Sequence, residues 1–283
     1  MSPIILDGRI IRERCLPRLI EKIKGFGRSI TLAIIQVGDR ADSTAYIKAK
    51  KVLAGRIGIG LEHIVLANSV SESEILKVVQ ECNANRSIQG IIIQLPLPKT
   101  INSDNIIQAI DYRKDLDAIT PKRVSEWSSH KVGALIPATV RGIRELLGAY
   151  DIGISSKNVV VVGRSPLVGR PIAVMCQQER AIVTVCHSQT INMSLETRKA
   201  DILIVAVGKP HLITKEYVSE GCVVVDVGIN RGKNGSLVGD VDFESVKNIV
   251  SAITPVPGGV GPMTVFALFE NLLDLCTMGE NKE

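Results

Sequence analysis

The amino-acid sequence predicts an α/β protein with mostly parallel sheets, and three observations lead to that prediction. Short runs of β-branched residues alternate with longer amphipathic stretches along the chain, which is typical of βαβ units. Several of these runs are almost continuous Val and Ile, as expected for parallel strands that are buried on both faces. The length of 283 residues corresponds to about two domains of ordinary size.

The composition is that of a globular protein and excludes several other classes. The chain is 45% hydrophobic and 22% charged, which excludes disordered and fibrous proteins. Only 3% of the residues are aromatic, too few for a module that stacks nucleic-acid bases on rows of rings. The formal net charge is +5 without a Lys/Arg block, so it suits an anionic small molecule at least as well as a polyanion, and we expect no nucleic-acid partner.

Neither a membrane span nor a secretory signal is predicted. No apolar run reaches the ~18–20 residues of a membrane span, and the N-terminus lacks a basic stretch followed by a long apolar one. The six cysteines are scattered without a C-x-x-C pair, and the four histidines form no H-E-x-x-H motif. We therefore expect reduced thiols, no metal site, no membrane partner and a cytoplasmic location.

The first half of the chain is expected to form alternating strands and helices. The predicted strands are Thr31–Val37, a shorter one around His63–Leu66, and Gly90–Leu95. The predicted helices are Ile4–Ile23, Ser43–Ile57, Ser71–Asn83 and Ile101–Ile110. Residues 111–137 lose clear periodicity and contain the only Trp, which indicates a connecting region.

The second half contains cleaner strands. The predicted strands, all rich in Val and Ile, are Asn158–Val162, Ile182–Cys186, Ile202–Val207 and Cys222–Val227. Helices are predicted at Pro171–Gln178 and, after a Pro/Gly-rich loop, at Met263–Met278. Asn234-Gly235 predicts a tight hairpin, which could serve an oligomer interface.

The strand that ends at Val162 leads into a glycine turn and the start of a helix. The segment Gly163-Arg164-Ser165 can bring backbone N–H groups close to a phosphate. However, Ser165 replaces the second glycine of the usual dinucleotide-binding loop. An ordinary α/β turn explains this segment equally well.

The end of the next strand favours NADP over NAD. NAD-specific sites usually have an Asp or Glu there, which binds the ribose 2′-hydroxyl, whereas this chain has Cys186-His187-Ser188. A cation at Arg164 and a hydroxyl at Ser188 would suit a 2′-phosphate. The alternative is a solvated arginine and a serine that caps the next turn.

Tyr46 and Lys50 lie four residues apart in a predicted helix and therefore share a face. Leu53 and Ile57 continue that stripe, so Lys50 is expected among buried residues. A lowered pKa would there let it move a proton near neutral pH. From the spacing alone, a lysine that extends past a core tyrosine to solvent is the favoured interpretation.

Three further segments have polar or glycine-rich positions where ligands could bind. Gln94 closes an apolar strand just before two prolines, at the strand end where α/β sheets bind ligands. Asp115 and Asp117 lie in the connecting region, and a solvated loop would explain both. The loop at residues 254–264 can present backbone N–H groups to a substrate, or it can be a structural connector.

Six motifs between Asp7 and Asn271 together resemble those of the bifunctional methylenetetrahydrofolate dehydrogenase/methenyltetrahydrofolate cyclohydrolases. They are Ser43-x-x-Tyr46-Ile47-x-x-Lys50, Gln94-Leu95-Pro96-Leu97-Pro98, Lys114-Asp115-Leu116-Asp117, Gly163-Arg164-Ser165-x-x-Val168-Gly169-x-Pro171, Cys186-His187-Ser188 and Pro255-Val256-Pro257-Gly258-Gly259-Val260-Gly261-Pro262-Met263-Thr264. The last motif is highly specific, and the shared order of all six makes coincidence a poor explanation.

The resemblance implies two three-layer α/β domains with the active site in the cleft between them. Residues 1–120 plus 264–283 would form the folate-binding catalytic domain. Residues 121–263 would form an NADP-binding domain with a Rossmann-like, doubly wound parallel sheet. It further implies homodimers formed through the NADP domain and a role in one-carbon metabolism and purine biosynthesis. The implied reactions are oxidation of 5,10-methylenetetrahydrofolate to the methenyl form with NADP, then hydrolysis to 10-formyltetrahydrofolate.

The same resemblance implies roles for individual residues. Lys50 would be the catalytic lysine, Tyr46 would stack on the folate and Gln94 would hold Lys50 in position, which makes these three the expected catalytic group. Asp117 would bind the edge of the pterin. The other expected substrate contacts are Ile93, Leu95, Pro255, Gly258, Gly259 and Pro262. The expected NADP contacts are Gly163, Arg164, Ser165, Ser188 and Ile229.

The chain departs from the family pattern in three places. Ala118 and Ile119 stand where the family commonly has Gly and Phe. Ala138 and Val140 stand in a segment that commonly has the sequence Pro-Cys-Thr-Pro, and Arg40-Ala41-Asp42 lacks the usual proline. These changes bear on substrate affinity and on the ratio of the two activities more than on the reaction class.

Two competing hypotheses follow from the sequence. One is a dehydrogenase with weak cyclohydrolase activity. The other is a nucleotide-binding regulatory or scaffold protein that keeps the fold without turnover. The joint presence of Tyr46, Lys50, Gln94 and Asp117 is against the second hypothesis, because a scaffold does not require them together.

Overall fold

The computed structural model of the protein describes residues 2–232 and 235–280. The chain divides into two compact units. The three-stranded unit comprises Cys15–Ala138 and Val265–Glu283, and the six-stranded unit comprises Met1–Arg14 and Thr139–Thr264. Both units combine parallel strands with helices, as the sequence predicts.

The helices and strands have the following bounds within the described residues. The helices are α1 (Gly8–Gly25), α2 (Ala41–Ile57), α3 (Glu72–Ala84), α4 (Ser103–Ala109), α5 (Pro121–Ser128), α6 (Ala138–Ala149), α7 (Gly169–Gln178), α8 (Met193–Thr197), α9 (Phe243–Val246) and α10 (Val260–Glu280). The strands are β1 (Ile4–Ile5), β2 (Thr31–Val37), β3 (Gly60–Leu66), β4 (Gly90–Ile93), β5 (Asn158–Val162), β6 (Ile182–Cys186), β7 (Ile202–Val205), β8 (Val223–Asp226), β9 (Asn230–Arg231), β10 (Leu237–Val238) and β11 (Ala252–Ile253). Lys215–Tyr217 forms a single 3₁₀ turn.

The sheet of the three-stranded unit is parallel and has the order β3-β2-β4. Its central strand β2 is almost wholly buried because it has a neighbour on each side. Alternate residues of β2, including Ala33 and Ile35, point to one face, where they pack with Ile75 and Val79 of α3. The carboxyl end of β4 lies beside β2, since the backbone N–H of Gln94 donates to the carbonyl of Ile35 at 2.9 Å.

The sheet of the six-stranded unit has the order β1-β11-β8-β7-β5-β6, and every neighbouring pair is parallel. The Val- and Ile-rich strands β5, β7 and β8 occupy its interior, so both of their faces are covered. The carboxyl ends of these three strands therefore lie in a row along one edge of the sheet.

The first residues of the chain form a strand instead of the start of the predicted helix Ile4–Ile23. Ile4 pairs with Ala252 and Ile5 pairs with Ile253, which adds β1 to the edge of the six-stranded sheet. The helix begins only after Asp7, whose Oδ1 accepts the backbone N–H of Arg9 at 2.8 Å and so caps it. For this reason the first 14 residues belong to the six-stranded unit and not, as expected, to the domain of residues 1–120.

The predicted connecting region contains a helix that the sequence pattern does not reveal. Helix α5 begins with Pro121 at its first position and buries both Trp127 and Arg123. A buried arginine obscures the apolar periodicity, and here it is satisfied because its Nε donates to the Tyr112 carbonyl at 2.9 Å. The three-stranded unit consequently extends to Ala138, beyond the expected boundary at residue 120.

The last helix is anchored in the three-stranded unit, as predicted for Met263–Met278. The side-chain amide of Asn271 donates to the carbonyls of Leu116, at 2.8 Å, and Ile136, at 2.9 Å. The buried Glu270 accepts a hydrogen bond from Arg18 at 2.6 Å.

Two short strands flank the predicted hairpin at Asn234-Gly235. Leu237 and Val238 of β10 pair antiparallel with Arg231 and Asn230 of β9. The Asn of the predicted turn lies outside the described residues. None of the helices in the described ranges combines the length and the hydropathy that crossing a membrane requires.

Candidate active site

Lys50 of α2 points into the protein and not, as the spacing alone favours, out to solvent. Only 7% of the residue is exposed, and its Nζ donates to Oε1 of Gln94 at 3.1 Å. Gln94 is itself fixed, because its Nε2 donates to the Leu95 carbonyl at 2.9 Å. The structure thus brings together a residue of α2 and the residue that follows β4, at the carboxyl edge of the parallel sheet.

Burial and a nearby negative charge shift the pKa of Lys50 in opposite directions. Burial lowers the pKa of its ammonium group, because the charged form loses solvation, and the nearby Asp117 raises it through its negative charge. Asp117 is affected in turn: burial raises its pKa to about 6, Lys50 counteracts that shift and Asp115 adds to it. The pKa of the Asp117 carboxyl therefore lies closer to neutral pH than that of a free aspartate, and burial moves the pKa of Lys50 toward neutrality as well.

In the segment from Lys114 to Asp117, the first two residues stabilise the fold and the last one acts on Lys50. The Nζ of Lys114 donates to the carbonyls of Cys82, Asn83 and Asn85 at 2.7 to 2.9 Å, and so closes the C-terminal end of α3. Asp115 is buried and accepts the backbone N–H of Thr120 at 2.7 Å. Lys114 and Asp115 thus hold the segment in place, and Asp117 is the carboxylate whose charge acts on Lys50.

The remaining expected folate contacts of the three-stranded unit lie near this pair in the chain. Tyr46 is partly buried and stands one helical turn before Lys50 on α2, so the predicted shared face is present. Ile93 is buried as the last residue of β4, and Leu95 follows Gln94 with partial exposure.

The Pro/Gly-rich loop that contains the other expected folate contacts belongs to the six-stranded unit. Gly258 has a φ of 123°, and a Cβ at Gly259 would lie 2.6 Å from the Thr254 side chain, so both positions require glycine. The Gly259 N–H donates to the Pro255 carbonyl at 2.8 Å, which makes the loop compact. Pro262 lies in the first turn of α10.

The glycine turn after β5 is tightly packed. Gly163 has a φ of 125°, and a Cβ there would lie 2.2 Å from the Ala206 carbonyl oxygen. A Cβ at Gly169, the first residue of α7, would lie 2.3 Å from the Gly163 carbonyl oxygen. Ser165 stands between them, and its Oγ accepts the Gly169 N–H at 3.2 Å. The backbones of β5, the glycine turn and the start of α7 therefore lie as close together as in a turn that binds phosphate.

Arg164 and Ser188 lie at equivalent positions just beyond the ends of the adjacent strands β5 and β6. Val162 pairs with Cys186, and each of the two residues lies two positions beyond that pair. Both are exposed, and residues 186–190 contain no carboxylate. Ile229 lies three residues beyond β8, with 38% of its surface exposed. The ends of β5, β6 and β8 thus carry all five expected NADP contacts.

Two buried carboxylates at the same edge were not recognised from the sequence. Asp226, the last residue of β8, is 3% exposed, and Asp240 is fully buried. Burial raises the pKa of Asp226 to about 7 although three backbone N–H groups donate to it, and the charge of Asp240 adds to that rise. The available signal was a carboxylate inside the predicted strand Cys222–Val227, where every other residue is apolar.

The chain matches two models of one protein family. Residues 6–117 match the catalytic domain of tetrahydrofolate dehydrogenase/cyclohydrolase, and residues 137–279 match its NAD(P)-binding domain. The first match contains Tyr46, Lys50, Gln94 and Asp117. The second contains the glycine turn and the two buried carboxylates.

Individual relatives match over nearly the whole chain. The bifunctional protein FolD of Latilactobacillus sakei is 43% identical over 274 residues, which cover 96% of each protein. The crystal structure of the bifunctional enzyme FolD, a methylenetetrahydrofolate dehydrogenase/cyclohydrolase, from Campylobacter jejuni is 40% identical, has a TM-score of 0.93, and covers 98% of this chain and 100% of its own. The Trypanosoma brucei methylenetetrahydrofolate dehydrogenase-cyclohydrolase, complexed with NADP and an inhibitor, is 31% identical with a TM-score of 0.94 and covers 99% of both chains.

These matches confirm the predicted fold class of two α/β domains, the second of them Rossmann-like. They also agree with the resemblance drawn from the six motifs. The chain therefore belongs to the tetrahydrofolate dehydrogenase/cyclohydrolase family.

Proposed function

We propose that this protein is a bifunctional, NADP-dependent methylenetetrahydrofolate dehydrogenase and methenyltetrahydrofolate cyclohydrolase. It oxidises 5,10-methylenetetrahydrofolate to the methenyl form and then hydrolyses that product to 10-formyltetrahydrofolate. The observation that carries this proposal is the buried Lys50, held by Gln94 and faced by Asp117, in a chain of this family.

The hydrolytic step needs a group that takes a proton from the attacking water. Lys50 suits this role because burial lowers its pKa and so increases the fraction of neutral amine at neutral pH. The neutral amine removes a proton from water as the water oxygen bonds to the methenyl carbon. The bond between that carbon and N5 then breaks. N5 takes the proton that Lys50 holds, and the hydroxyl of the adduct gives its proton to solvent as the formyl carbonyl forms. The cationic methenyl substrate itself would lower the pKa of Lys50 further.

Gln94 and Asp117 position the Lys50 amine and the substrate, respectively. Gln94 accepts a hydrogen bond from Lys50 without adding a charge, so it orients the amine and leaves its pKa low. Asp117 can hold the polar edge of the pterin. Tyr46, one turn away on α2, supplies a ring on which the pterin can stack. Ile93, Leu95 and the loop with Pro255, Gly258, Gly259 and Pro262 complete the proposed folate contacts.

The residues at the edge of the six-stranded sheet fit NADP. Gly163 and Ser165 form the close backbone turn, Arg164 and Ser188 can bind the 2′-phosphate, and Ile229 offers an apolar surface to the nicotinamide. Bound NADP supplies a hydride acceptor for the methylene carbon. The chain's own contribution to that step is alignment, because the folate nitrogens stabilise the product cation.

We also propose a cytoplasmic homodimer formed through the NADP-binding unit. The edge strand β6 leaves Ile182 and Val185 exposed, which is a surface that a second copy could cover. All six cysteines are free thiols, in keeping with a reducing compartment. Light scattering of the purified protein tests the dimer, and a monomer at micromolar concentration would contradict it.

One assay tests both activities. Purified protein is mixed with 5,10-methylenetetrahydrofolate and either NADP or NAD, and absorbance follows the formation and decay of the methenyl form. We expect rapid formation with NADP and enzyme-dependent decay. Absence of NADP reduction would refute the dehydrogenase, and decay no faster than in buffer would refute the cyclohydrolase.

A further inference from the structure

Two loops at the carboxyl edge of the six-stranded sheet are held by one buried carboxylate, Asp240. Its Oδ2 accepts the backbone N–H groups of Val207, at 2.7 Å, and Gly208, at 2.9 Å. Its Oδ1 accepts the N–H of Lys209 and the side-chain amide of Asn230, both at 2.8 Å. Both carboxylate oxygens are therefore used, by the loop after β7 and by the loop after β8.

The first of these loops forms the wall of the glycine turn. The backbone N–H of Ala206 donates to the Val162 carbonyl at 2.8 Å, and the Ala206 carbonyl oxygen would lie only 2.2 Å from a Cβ at Gly163. Asp240 holds the very next residue, Val207. The position of the glycine turn, and of Arg164 after it, thus depends on a loop that Asp240 fixes.

The second loop carries Ile229. Asn230 directly follows Ile229 and donates to Asp240. A Cβ at Gly228, the residue before Ile229, would lie 2.1 Å from the carboxyl carbon of Asp240, so the loop packs directly on this group. Asp226 supports the arrangement from the other side, since its Oδ1 accepts the N–H groups of both Gly228 and Asp240.

We propose that Asp240 is a positioning residue for NADP. It holds the glycine turn and the Ile229 loop in fixed positions relative to each other. It does not touch the cofactor, because it is fully buried beneath the two loops. This inference rests on the NADP binding proposed above. It extends that proposal by adding a residue that acts through the backbone of both loops.

The variant Asp240→Asn tests the inference. An amide group places an NH₂ against two N–H donors, whichever way it is oriented, so two of the four hydrogen bonds are lost. We expect the Kd for NADP, measured by isothermal titration calorimetry, to rise about tenfold or more. We also expect a higher KM for NADP, with a kcat at saturating NADP within about threefold of the original value. Hydrolysis of methenyltetrahydrofolate, which consumes no cofactor, should stay within about twofold.

Asp201→Asn is the matched control. Asp201 also accepts a backbone N–H, that of Asn158 at 2.8 Å, but at the opposite edge of the same sheet. The same chemical change there should leave the Kd for NADP unaltered. Asn230→Ala is the second variant, because it removes a single donor to Asp240 and should raise the Kd about threefold.

Each outcome decides the matter. An unchanged Kd in Asp240→Asn overturns the proposal, and so does an equal loss of NADP affinity and cyclohydrolase activity, which would indicate a general role in folding. If Asp240→Asn does not fold, an unchanged Kd in Asn230→Ala overturns it. If the unmodified protein binds no NADP, the proposed function itself has failed, and that result is distinct from all of these.

Discussion

The ammonium nitrogen of Lys50 lies 3.1 Å from the amide oxygen of Gln94, although the two residues are 44 positions apart in the chain. The partner is uncharged, which matters for the chemistry. A carboxylate at this distance would stabilise the protonated lysine and remove the neutral amine that the hydrolysis needs. An amide fixes the same geometry without that effect.

Replacing Lys50 with Met should separate the two activities. Met has a similar length and suits a buried position, so we expect the protein to fold. Cyclohydrolase activity should fall by at least about 100-fold, because the proton acceptor is lost. Some hydride transfer should remain, because that step depends on alignment. Absorbance of the methenyl form measures both rates in one experiment.

Lys48→Met is the control for this variant. Lys48 lies on the same helix but is exposed, so its replacement should change neither rate. Unchanged hydrolysis in Lys50→Met would exclude Lys50 from the mechanism.

Gln94→Glu should move the pH dependence of hydrolysis. The new carboxylate would raise the pKa of Lys50, so the neutral amine would form only at higher pH. We expect the acidic limb of kcat/KM for the cyclohydrolase to shift upward by about one pH unit or more. Gln80→Glu makes the same charge change at an exposed position of α3 and should leave the profile in place. A limb that does not move in Gln94→Glu would show that Lys50 does not titrate in this range.

Local patterns were enough to predict where several candidate site residues lie in the fold. A four-residue spacing placed Tyr46 and Lys50 on one helix face, and a polar residue at the end of an apolar strand placed Gln94 at the ligand-binding edge. Whether Lys50 is buried or solvated depends on what covers that face, and spacing carries no information on this point. The contact with Gln94 and the nearby charge of Asp117 decide it.

Other features depend on partners that are distant in the sequence. Asp226 and Asp240 look like ordinary polar residues until the sheet brings their loops together. Likewise, nothing near Ile4 and Ile5 shows that they pair with a strand almost 250 residues later. Ala118 has a φ of 56°, a left-handed conformation that glycine adopts more easily, which gives a physical reason for the Gly that is common there in the family.

Arg164→Ala should weaken binding of NADP much more than binding of NAD. The guanidinium group is exposed next to the end of β6, where it can pair with a 2′-phosphate that NAD lacks. We expect the KM for NADP to rise about tenfold or more and the KM for NAD to change less than about twofold. Arg180→Ala removes an exposed arginine just after the C-terminal end of α7 and should affect neither cofactor. Equal effects of Arg164→Ala on both cofactors would refute the 2′-phosphate assignment.

Lys114→Met should destabilise the protein without changing the chemistry. Three carbonyl groups at the end of α3 lose their shared donor, so we expect the free energy of unfolding to fall by about 1–3 kcal/mol. The KM for the folate should stay nearly constant, because the Lys114 ammonium group is bound to the carbonyls at the C-terminal end of α3. The exposed Lys77→Met on the same helix is the control for stability in urea. A large change in KM with normal stability would assign Lys114 to the substrate site instead.

Asp226 should make stability depend on pH near neutrality. Its pKa is about 7 in the folded protein and close to 3.9 in the unfolded chain, so folding takes up a proton between these values. This contribution to stability is therefore fully present below about pH 4, falls by up to about 1.4 kcal/mol per pH unit between the two pKa values, and is lost once the pH has risen through 7. Asp226→Asn lacks this titrating group. Its free energy of unfolding, measured in urea, should therefore rise relative to that of the original protein from pH 5 to 8. A constant difference between Asp226→Asn and the original protein over the same range would mean that Asp226 stays ionised throughout.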